Sequence, residues 1–315
     1  MKVLVTPTSF KPDSTGSAMD LLRSFCDDLV FNPIGKPLTE DQLIPLINEC
    51  DGFIAGLDFI TRKVIENAPR LKAISRYGVG IDRVDIEAAK EKKIVVCNTP
   101  GVNSNAVADL VFAFLLSLAR KVPYLDKTTR EGQWLRSTGF ELYKKTLGII
   151  GLGAVGKATA RRAAGFSMNI LAYDPFLNLE YANANGIVPA TFDELITKAD
   201  FISLSLPYSD EIRNLISGEV MKRMKKGAII INTSRGGLID ENVAYELLKS
   251  GHLGGLGLDA FEVEPPGQSP LFTLDNVVVT PHTGAHTKEA IDGMAQMAVQ
   301  NLIDVLEGRN CKFSV

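Results

Sequence analysis

Three side chains in this sequence are suited to gripping a carboxylate and moving a proton, and each lies in or beside a turn-forming motif. Arg235 stands in NTSRGG, where a planar guanidinium can hold a carboxylate and a neighbouring carbonyl oxygen while the glycines let a small molecule approach. His282 follows the apolar run NVVVTP, and an imidazole that titrates at about 6.5 is a ready proton donor or acceptor. Glu264, in FEVEPP, sits in a loop stiffened by Pro265 and Pro266, and a carboxylate there would favour the imidazolium and fix its orientation. The chemistry these residues suit is acid–base catalysis on a small carboxylic acid.

A second group of residues binds rather than reacts. GLGAVG, Gly151 to Gly156, follows the apolar strand LGII and opens the Ala-rich stretch Ala154 to Ala164, the strand, turn and helix context of a dinucleotide fingerprint. Gly151 permits the tight turn, Gly153 lets the backbone approach a pyrophosphate, and Gly156 lets helix and strand pack closely, with helix-end amides facing the phosphates. The strand NILAYD ends at Asp174, eighteen residues after Gly156 and near the roughly 20 expected for a ribose-binding acid. Asp174 would accept hydrogen bonds from both ribose hydroxyls and repel a 2′-phosphate, and Pro175 beside it brings no positive charge, so NAD is favoured over NADP.

The elements that must position these groups are read as strands: FISLSLP ending at Pro207, AIIINTSR ending at Arg235, LGGLGLD ending at Asp259 and NVVVTPH ending at His282. In an open parallel sheet the C-terminal edge borders the ligand crevice, so Asp174, Arg235, Asp259 and His282 are expected around one cavity. Earlier in the chain, KVLV, GFIAG and KAIS alternate with amphipathic stretches, which predicts parallel α/β structure. A denser version of the same rhythm begins at TLGIIG, suggesting two α/β units in tandem. SRYGVGID places Gly78 and Gly80 just after a strand, where exposed backbone amides can bind an anion. The stretch Asn103 to Arg120 is apolar on nearly every face and predicts a buried helix between domains or subunits. His286 to Glu307 has apolar residues at helical spacing with Gly308 placed to stop it, and this last helix is expected to return to the first domain.

Composition narrows the partners. With 34 Lys and Arg against 37 Asp and Glu, the net charge is -3, which leaves no basic surplus for nucleic-acid phosphates. The longest greasy stretch, Leu110 to Ala119, falls short of the roughly 20 residues of a spanning helix, so no membrane partner is expected. Met1 to Phe10 reads as a first strand rather than a signal peptide. Cys26, Cys50, Cys97 and Cys311 lack CxxC spacing and read as reduced, buried thiols of a cytoplasmic protein, with no thiol chemistry suggested. His286 lies four residues after His282, yet Pro281 and Gly284 argue against a helix there and no third ligand is near, so no metal is expected. His252 reads as a solvated residue at a helix C-terminus.

Taken together, SRYGVGID, NTPGVNSNAVADL, TLGIIGLGAVG, INTSRGGLID, LGLDAFEVEPP and TPHTGAHT resemble the D-isomer-specific 2-hydroxyacid dehydrogenases, particularly phosphoglycerate dehydrogenase-like members, in order and over nearly the whole chain. The resemblance implies an α/β protein of two Rossmann-like or flavodoxin-like parallel-sheet domains. The substrate domain would be discontinuous, residues 1–100 plus 287–315, around an NAD-binding domain of residues 101–286 in a homodimer. It implies Arg235, Glu264 and His282 as the catalytic set. It implies cofactor contacts at Ser104, Ala154, Val155, Asp174, Pro207, Thr233, Ser234, Arg235, Asp259 and the loop His282, Gly284 and Ala285, and substrate contacts at Val79, Gly80 and Arg235, with Arg76 adding charge. The implied reaction is hydride transfer between nicotinamide and C2 of a small 2-hydroxy or 2-oxo acid. A phosphoglycerate-type substrate leads, although Leu57 stands where some relatives have an arginine. A reductase of glyoxylate or hydroxypyruvate is the sibling reading. A non-enzymatic NAD-sensing protein on the same fold is the competing class, and the intact Arg235, Glu264 and His282 argue against it.

Overall fold

The computed structural model describes residues 1–315, which divide into two compact units: Met1–Asn103 with His286–Val315, and Ser104–Ala285. The first unit holds a five-stranded sheet built from β1 (Lys2–Val5), β2 (Asp28–Phe31), β3 (Gly52–Ala55), β4 (Ala73–Arg76) and β5 (Val95–Cys97). Its strand order is β2-β1-β3-β4-β5 with every pairing parallel, the flavodoxin-like arrangement. Short strands with continuous burial, such as GFIA in β3 and AISR in β4, are what a sheet covered on both faces requires. One face buries Leu4, Phe53, Ile74 and Val96 against Leu43, Ile47, Val64 and Ile65 of the connecting helices. On β4 lies the helix Lys288–Leu306, which accepts hydrogen bonds from Ser75 Oγ at the Ala298 carbonyl (2.7 Å) and from the Tyr77 hydroxyl at the Ile291 carbonyl (2.9 Å). Thr287 caps this helix, and Gly308, at φ 77°, ends it.

The second unit carries β6 (Thr146–Ile150), β7 (Asn169–Tyr173), β8 (Ile187–Pro189), β9 (Phe201–Leu204), β10 (Ala228–Asn232), β11 (Leu253–Leu258) and β12 (Val277–Val279). They form one parallel sheet in the order β12-β11-β10-β9-β6-β7-β8, so the chain reverses its direction of winding between β6 and β9. That is the doubly wound Rossmann arrangement, and its ligand crevice lies outside the C-terminal ends of the strands at this switch point. Both faces are covered. One packs Leu147, Ile149, Ile229 and Ile231 against Val111, Phe114 and Leu118, and the other packs Ile202, Ile230 and Leu256 against Leu195, Met221 and Leu248.

The helix Ser104–Arg120 packs Val111, Phe112, Phe114, Leu115 and Leu118 into the core of the second unit. Its exposed Asp109 meets Arg162 of the neighbouring helix Ala154–Gly165 at 2.6 Å. Several strands stop sooner than their apolar runs suggest: β9 ends at Leu204 rather than Pro207, and β10 at Asn232 rather than Arg235. The polar residues at these edges sit in the loops that follow. His252 is half-buried rather than freely solvated, and its Nε2 meets the Met221 carbonyl at 3.0 Å. No helix is long and apolar enough to cross a membrane.

Candidate active site

The C-terminal edge of the second sheet begins with the glycine turn after β6. Gly151 has φ 94°, and a Cβ there would lie 2.5 Å from the Ser205 carbonyl oxygen, so both the turn and the closeness of the loop after β9 require glycine. A Cβ at Gly156 would lie 2.1 Å from the Gly151 carbonyl oxygen, which makes it the residue that lets the helix start against its own turn. A Cβ at Gly153 would meet nothing within 4 Å, so the space above the turn is open. Gly153 caps the helix Ala154–Gly165 without a side-chain hydrogen bond and no acid occupies its first turn. The amides of this end are thus available to an anion, the role a dinucleotide pyrophosphate takes.

Asp174 follows β7 directly. Its Oδ2 accepts from the Leu152 amide (2.7 Å) and its Oδ1 from the Phe176 amide (2.8 Å), so the carboxylate ties the glycine turn to the end of β7. Each oxygen retains a second lone pair, enough for a ribose diol. Nearby loop ends hold two buried hydroxyls without hydrogen-bond partners, Ser205 Oγ after β9 and Thr233 Oγ1 after β10. Unsatisfied buried hydroxyls at a switch point fit a polar ligand. Pro175 and Pro207 are exposed at the same edge, and Ser104 is buried at the start of its helix.

Arg235 is half-buried in the loop after β10. Asn232, the last residue of β10, shapes that loop: its Nδ2 donates to the Arg235 carbonyl (2.7 Å) and its Oδ1 accepts from the Ser234 amide (3.0 Å). Ser234 Oγ donates to the Leu204 carbonyl at 2.7 Å, and one Arg235 hydrogen bond goes to the Ser234 carbonyl at 2.8 Å. The glycines that follow have a different task from the one read in the sequence. A Cβ at Gly236 would lie 1.8 Å from the Phe261 carbonyl oxygen, so the Arg235 loop packs backbone to backbone on the loop that carries Glu264.

His282 Nδ1 lies 2.9 Å and 3.1 Å from the two carboxylate oxygens of Glu264. A carboxylate only accepts, so Nδ1 carries the proton and Nε2 is the atom available for proton exchange. Both side chains are largely shielded, at 24% and 17% exposure. Glu264 Oε1 also accepts from the Phe261 amide at 3.2 Å. Glu241 supports the same loop by accepting from the Glu262 amide at 3.0 Å, and burial, with the Glu262 charge beside it, pushes its carboxyl above the ordinary value.

His282 itself has φ 54°, a left-handed conformation uncommon for a residue with a side chain. Asp259 explains how it is held. This carboxylate, 1% exposed, accepts from Thr280 Oγ1 (2.6 Å), the Thr283 amide (2.7 Å) and the Gly284 amide (2.8 Å), gripping the loop on both sides of His282. The sequence brought Asp259 forward as a cofactor contact, and its hold on the loop around His282 was not visible there. Asn232 was missed altogether; its only sequence signal is an amide residue closing an apolar strand just before NTSRGG turns.

In the first unit, the turn after β4 differs from expectation. The Gly78 amide donates to Thr99 Oγ1 (2.9 Å) and to the Arg76 carbonyl (3.0 Å), so it is not open to an anion. Val79 is 46% exposed and its carbonyl accepts from Asn98 Nδ2 at 2.9 Å, with Gly80 following at the surface. Arg76, expected to add charge at the substrate, is 5% exposed, and its Nη1 donates to the carbonyls of Ala55 (3.1 Å) and Tyr77 (2.7 Å), which makes it a brace of this turn.

Residues 112–284 match the family described as D-isomer specific 2-hydroxyacid dehydrogenase, NAD binding domain. The chain is 44% identical over 279 residues to D-3-phosphoglycerate dehydrogenase of Methanocaldococcus jannaschii, covering 87% of this chain but only 53% of that one. It therefore spans about half the length of that relative. Against glyoxylate reductase of Korarchaeum cryptofilum the identity is 39% over 280 residues, covering 86% of this chain and 84% of the other. A solved structure of D-lactate dehydrogenase from Aquifex aeolicus, complexed with NAD and lactic acid, superposes with a TM-score of 0.85 at 26% identity over 98% of this chain and 96% of that one.

Proposed function

Because the chain belongs to the D-isomer specific 2-hydroxyacid dehydrogenase family, we propose that it is an NAD-dependent oxidoreductase interconverting a small D-2-hydroxy acid and its 2-oxo acid. The observation that carries this reading is the His282–Glu264 pair at 2.9 Å, in the same unit as an open dinucleotide-type glycine turn. NAD bound there supplies or accepts the hydride at C2 of the substrate. The amides of Ala154 and Val155 at the helix end hold the pyrophosphate, Asp174 takes the ribose hydroxyls, and Ser104, Pro207, Thr233, Ser234, Asp259, Gly284 and Ala285 belong to the cofactor's surroundings. The resemblance gives the backbone of Val79 and Gly80 as the grip on the substrate carboxylate. In reduction, protonated His282 gives its Nε2 proton to the carbonyl oxygen, Glu264 stabilises the imidazolium, and Arg235 holds the carboxylate and balances charge developing on oxygen. Oxidation runs the same residues in reverse, with His282 as the base.

Asp174→Ala is expected to weaken NAD binding by at least tenfold and narrow the preference over NADP, measured by titrating both cofactors into the variant. It loses the ribose acceptor, the repulsion of a 2′-phosphate and the tie to the Leu152 amide. Equal affinities before and after the substitution would remove Asp174 from the site.

A phosphorylated three-carbon acid of the phosphoglycerate type leads among substrates, and glyoxylate or hydroxypyruvate reduction is the second reading. What favours the first is Arg83. Its guanidinium donates to the Leu57 carbonyl at 2.7 Å and lies 4.7 Å from the Phe59 ring centroid, so a cation stands at the loop where some relatives place their own arginine. Arg83→Ala should raise KM for phosphohydroxypyruvate about tenfold and leave KM for glyoxylate nearly unchanged. A loss shared equally by both acids would favour the unphosphorylated reading.

A cytoplasmic homodimer completes the proposal. The four free, buried cysteines support the compartment. Exposed Val122 (53%), Trp134 (82%) and Tyr143 (55%), all in the second unit, supply the apolar surface a second copy would cover. Light scattering on purified protein tests it, with twice the chain mass expected.

A further inference from the structure

The segment after the last helix is joined to the edge of the first sheet. The Asn98 amide donates to the Phe313 carbonyl (3.2 Å), the Val315 amide donates to the Val96 carbonyl (2.9 Å), and Cys97 pairs with Ser314 in an antiparallel bridge. Residues 313–315 thereby cover β5, an edge strand that would otherwise present unpaired backbone. Beneath this cover the Sγ atoms of Cys97 and Cys311 stand 2.8 Å apart, 214 residues distant in the chain, and both residues are buried at 1% and 5% exposure. The other two thiols face carbonyls instead: Cys26 Sγ lies 3.0 Å from the Met1 carbonyl, and Cys50 Sγ 3.1 Å from that of Leu46.

We propose that Cys97 and Cys311 form a reversible redox staple that fastens the segment after the last helix onto the edge of the first sheet. A disulfide has its sulfurs at about 2.05 Å, so the contact needs under about 1 Å of closure. The oxidant is a small-molecule disulfide. One protein thiolate attacks it, forming a mixed disulfide and releasing one small thiol; the second protein thiolate displaces the other. Two S–H bonds are lost, one S–S bond forms in the protein, and the cleaved disulfide takes up two electrons and two protons. Cys311 is the first attacker because its neighbours Asn310 and Lys312 are exposed, whereas Cys97 lies on β5 beneath the covering segment and burial pushes its thiol up. The bond closes a loop containing the whole second unit, which restricts the unfolded chain, and long loops gain most from such closure. On this proposal two of the four thiols, read as inert in the sequence, carry redox chemistry.

The full-length protein is incubated with oxidised glutathione, quenched with an alkylating agent in denaturant, and mapped by peptide mass spectrometry. The staple predicts that free thiols fall from four to two. It also predicts a linked Cys97–Cys311 peptide that dithiothreitol releases, and a melting temperature several degrees above that of the reduced protein. In Cys311→Ser the linked species and the melting shift both disappear while the far-ultraviolet spectrum is retained. Four remaining thiols, stable glutathione adducts, or a link through Cys26 or Cys50 would overturn the proposal, and the wild-type map decides even if the variant folds poorly.

Discussion

Replacing His282 by alanine is expected to lower kcat for 2-oxo acid reduction by about 10²–10⁴, with NAD affinity changed by less than about threefold. The asymmetry follows from where the residue acts. Its Nδ1 is held by Glu264 at 2.9 Å, so the other nitrogen is presented for proton transfer, a contribution made only in the transition state. Glu264→Gln should lower kcat less, because a neutral amide can still orient the ring but no longer stabilises the imidazolium. Pre-steady-state reduction with NADH separates the effects: cofactor binding stays intact while the chemical step slows. A variant that turns over at the wild-type rate would remove His282 from the reaction.

The second large effect is structural in origin. Gly236→Ala places a methyl carbon 1.8 Å from the Phe261 carbonyl oxygen and 2.3 Å from the Glu262 amide nitrogen, both backbone atoms that no side-chain rotation can clear. The two loops must separate, and those loops carry Arg235 and Glu264. The expected cost is on the order of 3 kcal/mol, seen as a fall in melting temperature of roughly 6–12 °C for a unit of this size. Activity should fall further than stability, because the Arg235 loop shifts even in molecules that stay folded. Gly165→Ala is the matched control: nothing lies within 4 Å of its Cβ position at the end of the helix, so stability should hold or rise. A tolerated Gly236→Ala would mean that the loops are not packed as described.

How far the sequence revealed this site depends on whether the signal was local. The glycine turn was legible because two of its glycines answer to atoms close by, Gly156 to Gly151 five residues earlier and Gly151 to Ser205 just after the adjacent strand. The apolar runs located the strands, since a sheet covered on both faces needs continuous burial. Loop interiors were less legible. Asp259 sits at the end of β11 and reads like a ligand-facing acid, yet its hydrogen bonds go to Thr280, Thr283 and Gly284, residues more than twenty positions away. Arg76 was expected to add charge at the substrate, and only the closeness of β3 and the Tyr77 carbonyl shows that its Nη1 braces the turn after β4. The Cys97–Cys311 contact spans 214 residues and has no periodic signature at all. Its existence follows from the return of the last helix to the first unit.

The proposed reaction is hydride transfer to C2 of a 2-oxo acid, with His282 supplying the proton. Its most direct test is to mix the purified protein with NADH and, in separate reactions, phosphohydroxypyruvate, hydroxypyruvate, glyoxylate and 2-oxoglutarate. Loss of nicotinamide absorbance is followed, and the product is resolved on a chiral column wherever C2 becomes a stereocentre. The predicted result is stoichiometric NADH consumption with at least one of these acids, a D-configured hydroxy acid where the product is chiral, and loss of this turnover in His282→Ala. Tight NADH binding with no consumption in the presence of any of the four acids, or an L-configured product, would contradict it.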